Sequence, residues 1–427
     1  MIPLVMEDKI PDFLKKLENR QAGSAGTVRE TVAEILESVK IRGDAAVCEY
    51  TRRFDGVDLG PGHLRIPESA IDSAGRSMPK GFTDILSRAA ENIRQFHEKD
   101  KPASWMSWGQ DGVLLGQRVT AMDRAGLYVP GGRAAYPSSL LMTAIPAQAA
   151  GVREIAVATP AGKDGVNPAI LATARILGLS EVYGIGGAQA VAALAFGTET
   201  IRGVDKIAGP GNLYVAEAKR QVFGIVDIDM IAGPSEVLVL ADGSADPGFV
   251  AADLLAQAEH DPMASAVCIT HDRQKAEAVQ KAVETLFQKT SRKEIIRASL
   301  SDWGAVLVTG NWQRAVELAN FLAPEHLGLH VKNPWEVLGD IRHAGAVFIG
   351  HHSPETIGDY WAGPSHVLPT GRTARFASPL SASDFMKKSS LIAYTPQALR
   401  ACADSVISFA EMEALDAHAE AIRRRIA

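Results

Sequence analysis

Two textures of apolar and polar positions divide the chain. In its first quarter the apolar residues recur at three- and four-residue steps: Val28–Val39 (VRETVAEILESV) and Phe82–Phe96 both carry the period of a helix packed along one side. Between Lys99 and Gly112, proline, tryptophan and glycine break that period, which predicts a loop. From Gly126 onward, short β-rich runs are each followed by a glycine-containing turn and an alanine-rich stretch. That alternation predicts βα units, in which crossover helices cover a parallel sheet. The first series places strands at Ala125–Val129, Glu154–Ala158, Val182–Ile185 and Lys206–Ala208, with helices at Pro137–Ala150, Pro168–Leu177, Ala188–Phe196 and Leu213–Val222. The second places strands at Glu236–Ala241, Ala266–Thr270 and Ala305–Thr309, with helices at Pro247–Glu259, Gln274–Leu286 and Trp312–Leu322. The predicted fold class is α/β with two open, incomplete Rossmann-like parallel sheets, and Ser405–Ile426 closes the chain as an amphipathic helix. No short-period repeat or low-complexity tract interrupts this order.

Composition narrows the class. With 427 residues, 46% hydrophobic and 22% charged, the chain has length for two or more domains and a core independent of disulfides. Lys and Arg total 44 against 50 Asp and Glu, and the net charge of −6 is spread along the chain, so neither nucleic acid nor an anionic membrane is the expected partner. A small molecule is. Three dispersed cysteines (Cys48, Cys268, Cys402) without a CxxC fit a reducing compartment. The N-terminus meets acidic residues and a proline too early for an export signal, and the apolar run Ala188–Phe196 is about half the roughly 20 residues of a membrane span. A cytoplasmic location is expected.

Five constellations are candidates for chemistry. Gly184-Ile-Gly186-Gly187-Ala-Gln189 misses the GxGxxG dinucleotide fingerprint because Gln189 stands at its last position. Together with Val129-Pro-Gly-Gly132 and Gly209-Pro-Gly-Asn212 it would put three glycine turns at the carboxyl edge of one sheet, each opening onto a helix N-terminus suited to an anion. Each turn taken singly is explained equally by tight βα geometry. Gln257 and His260, three apart near the end of a predicted helix, have a spacing that suits two ligands of one metal ion, or the dipole-compatible end of an ordinary helix. Glu325 and His326 form an adjacent carboxyl–imidazole pair, able to do acid–base work only where a turn lets both reach one cleft. Asp359, Ser365 and His366 fall within a Gly/Pro-rich loop, and Glu413 and His418, five apart in the terminal helix, read alone as surface residues. The cysteines sit in helical or apolar settings as small hydrophobes, and neither a Gly-x-Ser-x-Gly elbow nor a P-loop lysine is present.

From about Gly126 to Tyr394, and again over Glu413–Ala421, the chain resembles the histidinol dehydrogenase family. The resemblance rests on VPGGRAAYPSSLLM, GGAQAVAALAFGTETI, DKIAGPGN, IDMIAGPSEVLVLAD, DLLAQAEHDP, APEHL, SPETIGDYWAGPSHVLPTG and ALDAH, in that order. It implies one zinc ion per subunit held by Gln257, His260, Asp359 and His418, the last from the neighbouring subunit of a homodimer with shared active sites. Glu325 and His326 correspond to the acid–base pair, and Ser235, His366 and Glu413 to substrate contacts, alongside His326 and the zinc ligands. Tyr128, Gln189 and Asn212 correspond to NAD+-binding positions. The implied domains are a segment 1–24, a discontinuous metal-side domain 25–125 and 235–381, an NAD-side domain 126–234, and a helical dimerisation tail 382–427, with the terminal segments crossing to the partner. Ser365 and Arg372 differ from what the family often carries there, and both flank His366.

The implied reaction is oxidation of L-histidinol to L-histidine by two NAD+ through bound L-histidinal, the last steps of histidine biosynthesis. His326 is the expected base for the hydride steps, and Glu325 the residue that activates water for aldehyde hydration. No covalent intermediate is required, which agrees with the absence of a nucleophilic cysteine motif. Zinc acts in this reading chiefly as a template for substrate. The alternatives are a related zinc- and NAD-dependent dehydrogenase of another polar primary alcohol, such as a sulfopropanediol, and a zinc hydrolase or metal-binding protein on the same scaffold.

Overall fold

The structure is a computed structural model that describes residues 2–18, 20, 25–131 and 136–427. Gly132, the last residue of the first glycine turn, and most of the segment 1–24 beyond residue 18 lie outside the described residues.

Fourteen strands make three sheets among the described residues. The first five-stranded sheet holds β4 (Arg124–Tyr128), β5 (Glu154–Ala158), β6 (Val182–Tyr183), β7 (Lys206–Ala208) and β8 (Asp227–Ile228) in the order β6-β5-β4-β7-β8, all parallel. A six-stranded parallel sheet, ordered β1-β11-β10-β9-β12-β13, holds β1 (Leu4–Met6), β9 (Glu236–Ala241), β10 (Ser265–Thr270), β11 (Ala305–Val308), β12 (His326–His330) and β13 (Ala346–Ile349). The strands read as unbroken apolar runs because both faces are covered. In β9, Val237 and Val239 enter one core while Leu238 and Leu240 enter the other. In β4, Leu127 and Tyr128 likewise divide between the two cores of the five-stranded sheet.

Local chemistry sets the helix starts. Asn167, Asn212, Asp246 and Asp272 each accept backbone N–H groups of the helix they open, and Pro168 and Pro247 follow two of these caps at a position that needs no N–H donor. The helices Ala25–Arg42, Asp44–Asp55, Glu68–Ser77 and Lys80–Lys99 contribute to the cores of the five-stranded sheet. Expected to accompany residues 235–381, they pack against the five-stranded sheet instead, because their apolar stripes (Val32 and Ile35, Leu86 and Ile93) fit helices of that layer.

Three expectations change. The stretch Lys99–Gly112 is not merely a loop, since β2 (Trp105–Trp108) pairs antiparallel with β3 (Leu114–Ala121), which pairs in turn with β14 (Met386–Ala393). The C-terminal tail is accordingly not wholly helical, because it opens on a short 3-10 turn and β14. The single terminal helix is two, Pro396–Met412 and Asp416–Ile426, broken where Ala414 takes φ +57°. This antiparallel sheet has mostly exposed residues on β2 and β14, so it lacked the apolar alternation that reveals a strand. No helix among the described residues is long and apolar enough to cross a membrane.

Candidate active site

A cleft of about 2080 Å³ separates the two parallel sheets. Its walls combine the carboxyl edge of the five-stranded sheet (Pro130, Gly211, Asn212) with the amino edge of the six-stranded sheet (Ser235, Glu325, His326). Only the first edge follows the usual rule for ligands of open α/β sheets.

Glu325 and His326 owe their joint position to a chain break. Helix Trp312–Leu322 ends at Ala323 in a left-handed conformation, φ +43°, and Pro324 blocks its continuation. Glu325 occupies the bend before β12 and His326 is its first residue, so the opposed pointing of successive strand residues does not separate them. Glu325 Oε2 accepts the backbone N–H of Glu236 at 2.7 Å. Burial, reinforced by the charges of Glu236 and Asp359, lifts its carboxyl well above the usual range. His326 Nδ1 donates to the Glu236 carbonyl at 2.9 Å. The proton therefore sits on Nδ1 and leaves Nε2 with a free lone pair, buried and without a hydrogen-bond partner, 3.9 Å from Asp359 Oδ1. Burial holds this imidazole neutral by lowering its pKa to about 4.

Gln257 lies in the last turn of helix Pro247–Ala258 and His260 in the turn after it, so the expected pair straddles the helix end. His260 opens into the cleft, whose walls desolvate it and lower its pKa. Asp359, on helix Glu355–Tyr360, is raised to about 6 by burial. Its backbone carbonyl accepts the Nδ1–H of His366 at 3.1 Å, and burial lowers His366 to about 4. Gln257, His260, Asp359, Glu325, His326 and His366 thus share one cleft, with Ser235 at its rim. Glu413 and His418 do not line it: they are exposed, at the end of one C-terminal helix and within the next. Among the described residues no three His, Cys, Asp or Glu side chains of this chain are placed to hold a metal.

Of the residues expected to bind NAD+ only Asn212 lines the cleft; Tyr128 and Gln189 are buried behind its wall. Tyr128 ends β4, and its hydroxyl, pushed up to about 12 by burial, accepts the N–H of Gly187 at 3.1 Å. Gln189 is buried with both amide atoms unpartnered. Asn212 lines the cleft and caps its helix through Tyr214 N–H and Val215 N–H, at 3.0 and 3.1 Å. Gly209, φ +123°, lets this turn lie on β4, since a Cβ there would fall 2.0 Å from the Tyr128 carbonyl oxygen.

Several residues of this region carried no sequence signal. Buried Arg20 pairs with Glu236, the residue that supplies backbone groups to both Glu325 and His326. Lys219 and Asp229 form a buried ion pair under the Gly209 turn. Isolated charged residues in sequence announce no partner distant along the chain. The Ser365 hydroxyl is spent on the Met142 carbonyl and the Val367 N–H, both 3.1 Å away. Arg372 pairs with Glu18 and stacks on Phe321. Neither of these two side chains lines the cleft.

A glycine-turn sheet edge thus faces a buried Glu–His pair across one cleft, the site of an α/β enzyme. A sequence model of the histidinol dehydrogenase family matches residues 18–426, and the chain belongs to that family. It is an NAD-dependent oxidoreductase. Histidinol dehydrogenase of Bacillus subtilis (strain 168) is 50% identical over 423 residues, covering 98% of this chain and 99% of its own. That of Geobacillus kaustophilus (strain HTA426) is 52% identical over 399 residues, covering 93% and 94%. The crystal structure of histidinol dehydrogenase from Elizabethkingia anophelis matches with a TM-score of 0.94 at 36% identity, covering 100% of this chain and 98% of that one.

Proposed function

We propose that the chain oxidises L-histidinol to L-histidine with two NAD+ through bound L-histidinal, as a zinc-dependent homodimer in the cytoplasm. The observation that carries this reading is the state of His326: a neutral imidazole whose Nδ1–H is spent on the Glu236 carbonyl and whose Nε2 is free within the cleft.

In the first step Nε2 of His326 takes the hydroxyl proton of histidinol as hydride leaves its carbon for the nicotinamide. The aldehyde then needs water, and Glu325 removes a proton from it. A carboxyl of raised pKa is, once ionised, a stronger base than an ordinary one, and the Glu236 N–H fixes its direction. As water adds, protonated His326 returns its proton to the aldehyde oxygen, so its Nε2 is free again to accept a hydroxyl proton when the hydrate loses hydride to the second NAD+. None of the three cysteines lines the cleft, which supports the hydrate over a thioester. His366, Ser235 and the partner's copy of Glu413 are the proposed further substrate contacts. Tyr128, Gln189 and Asn212 are the proposed cofactor contacts, supported by their common sheet edge and by the unpartnered Gln189 amide.

Gln257, His260 and Asp359 suit a zinc ion: one amide, one imidazole and one carboxyl line the same cleft, and the Asp359 carboxyl, raised by burial, lacks a Lys or Arg partner among the described residues. When bound, the metal would supply positive charge that orients the substrate. His418 of a second copy is the proposed further ligand. Exposed apolar residues on β2 and the C-terminal helix, including Trp105, Trp108, Phe409 and Met412, provide a surface for that copy.

The test is a stoichiometric one. Zinc-loaded protein given L-histidinol and NAD+ forms two NADH per histidine. Absence of both products with zinc bound refutes the proposal, and one NADH without histidine restricts the chain to the alcohol step.

A further inference from the structure

Two helices carry a ladder of polar residues behind the cleft. Asp253 and Gln257 lie one turn apart on helix Pro247–Ala258, Glu355 and Asp359 one turn apart on helix Glu355–Tyr360, and the two helices pack together. Asp253 is satisfied by His330, whose Nε2 lies 3.0 Å from its Oδ2. Gln257 and Glu355 are not satisfied. Both are buried, at 2% and 3% exposure, and neither Gln257 Nε2 nor either Glu355 carboxyl oxygen has a hydrogen-bond partner. The charged groups that bear on Glu355 are the acids Asp359, Asp253 and Glu325, so no ion pair accounts for its burial.

Buried polar groups without partners are rare, and here a donor and two acceptors stand unpaired on facing helices. We propose that Glu355 is a positioning residue: its carboxyl holds the Nε2–H of Gln257 through one buried water, and so turns the Gln257 carbonyl oxygen toward the metal. An amide can present either end to the cleft, and only its oxygen ligates a cation. Fixing the far end selects the oxygen, as outer hydrogen bonds orient metal ligands generally. The inference rests on the reading of Gln257 as a metal ligand.

Zinc affinity of the metal-stripped dimer, measured by competition with a chromogenic chelator, tests it without any turnover. Glu355→Leu, which keeps the volume and removes the acceptor, is expected to weaken zinc binding by about 10–100-fold. Glu355→Gln keeps an acceptor oxygen and is expected to stay within about threefold of the parent. A second variant, Glu355→Met, also keeps the volume and removes the acceptor, and is expected to weaken zinc binding to the same extent. A parental affinity in Glu355→Leu overturns the proposal, and Glu355→Met decides alone if Glu355→Leu does not fold. If Gln257→Leu itself leaves zinc affinity unchanged, the metal reading of Gln257 fails first.

Discussion

Replacing Lys219 by methionine isolates one structural device of the five-stranded sheet. Lys219 is 2% exposed, its ammonium pairs with Asp229, and its Nζ also donates to the Gly209 carbonyl at 3.0 Å. Methionine keeps most of the stem's volume, so the loss is electrostatic rather than a cavity. Removing one partner of a buried ion pair costs about 3–5 kcal/mol, because the other charge stays buried. Asp229 retains two donors, Gly209 N–H at 2.7 Å and Met230 N–H at 2.6 Å, which place the expected loss near the lower end. We therefore expect about 3 kcal/mol, a factor of roughly 150 in the unfolding equilibrium. Because none of the six tryptophans falls between residues 124 and 228, urea unfolding should be followed by circular dichroism and by amide exchange across residues 205–231. The Gly209 turn loosens with it, so KM for NAD+ rises. In the double variant with Asp229→Asn the two losses are not additive, with a coupling of about 1–3 kcal/mol. A cost below about 1 kcal/mol, or additive losses, would refute the buried-pair reasoning.

Gly209→Ala forces a Cβ against the Tyr128 carbonyl at a positive φ, and should lower stability by about 2–4 kcal/mol and raise KM for NAD+ in thermal melts and steady-state assays. His97 is fully buried with neither ring nitrogen partnered, and burial lowers its pKa to about 4. The unfolded chain thus binds a proton that the native state refuses between about pH 6.5 and pH 4, so stability falls as pH drops through that window. His97→Leu should remove this loss, gaining about 1–2 kcal/mol over the parent at pH 5 relative to pH 7.5, and an unchanged difference in denaturant titrations counts against it. His418→Asn should weaken zinc binding, and mixing it with a Gln257→Leu/His260→Asn chain should restore some sites in heterodimers. Lack of recovery in proven heterodimers argues against shared sites.

Legibility followed the physics of each element. Strands β5 and β7 fall at their expected bounds because buried parallel strands read as apolar runs between turn residues. Strands β2 and β14 escaped because one exposed antiparallel sheet contributes little burial and its residues lie far apart in sequence. Glu325 and His326 stood out as an adjacent pair, whereas Arg20, Glu236 and Glu355 had no local pattern. Their significance comes from what burial does to a charge, and burial is not a local property.

The sequence alone determined the two-sheet α/β class, the glycine turns, and a family resemblance from which the site residues could be named. Tertiary structure decided where those residues meet: the carboxyl edge of one sheet faces the amino edge of the other, and the cleft forms between them. It also decided their state. The Glu236 carbonyl puts the His326 proton on Nδ1, burial keeps that ring neutral, and burial lifts the Glu325 carboxyl. Periodicity and spacing report neighbours along the chain, while desolvation and hydrogen bonding depend on segments about 90 residues away, such as Glu236 beside Glu325. Only folding brings those segments within reach.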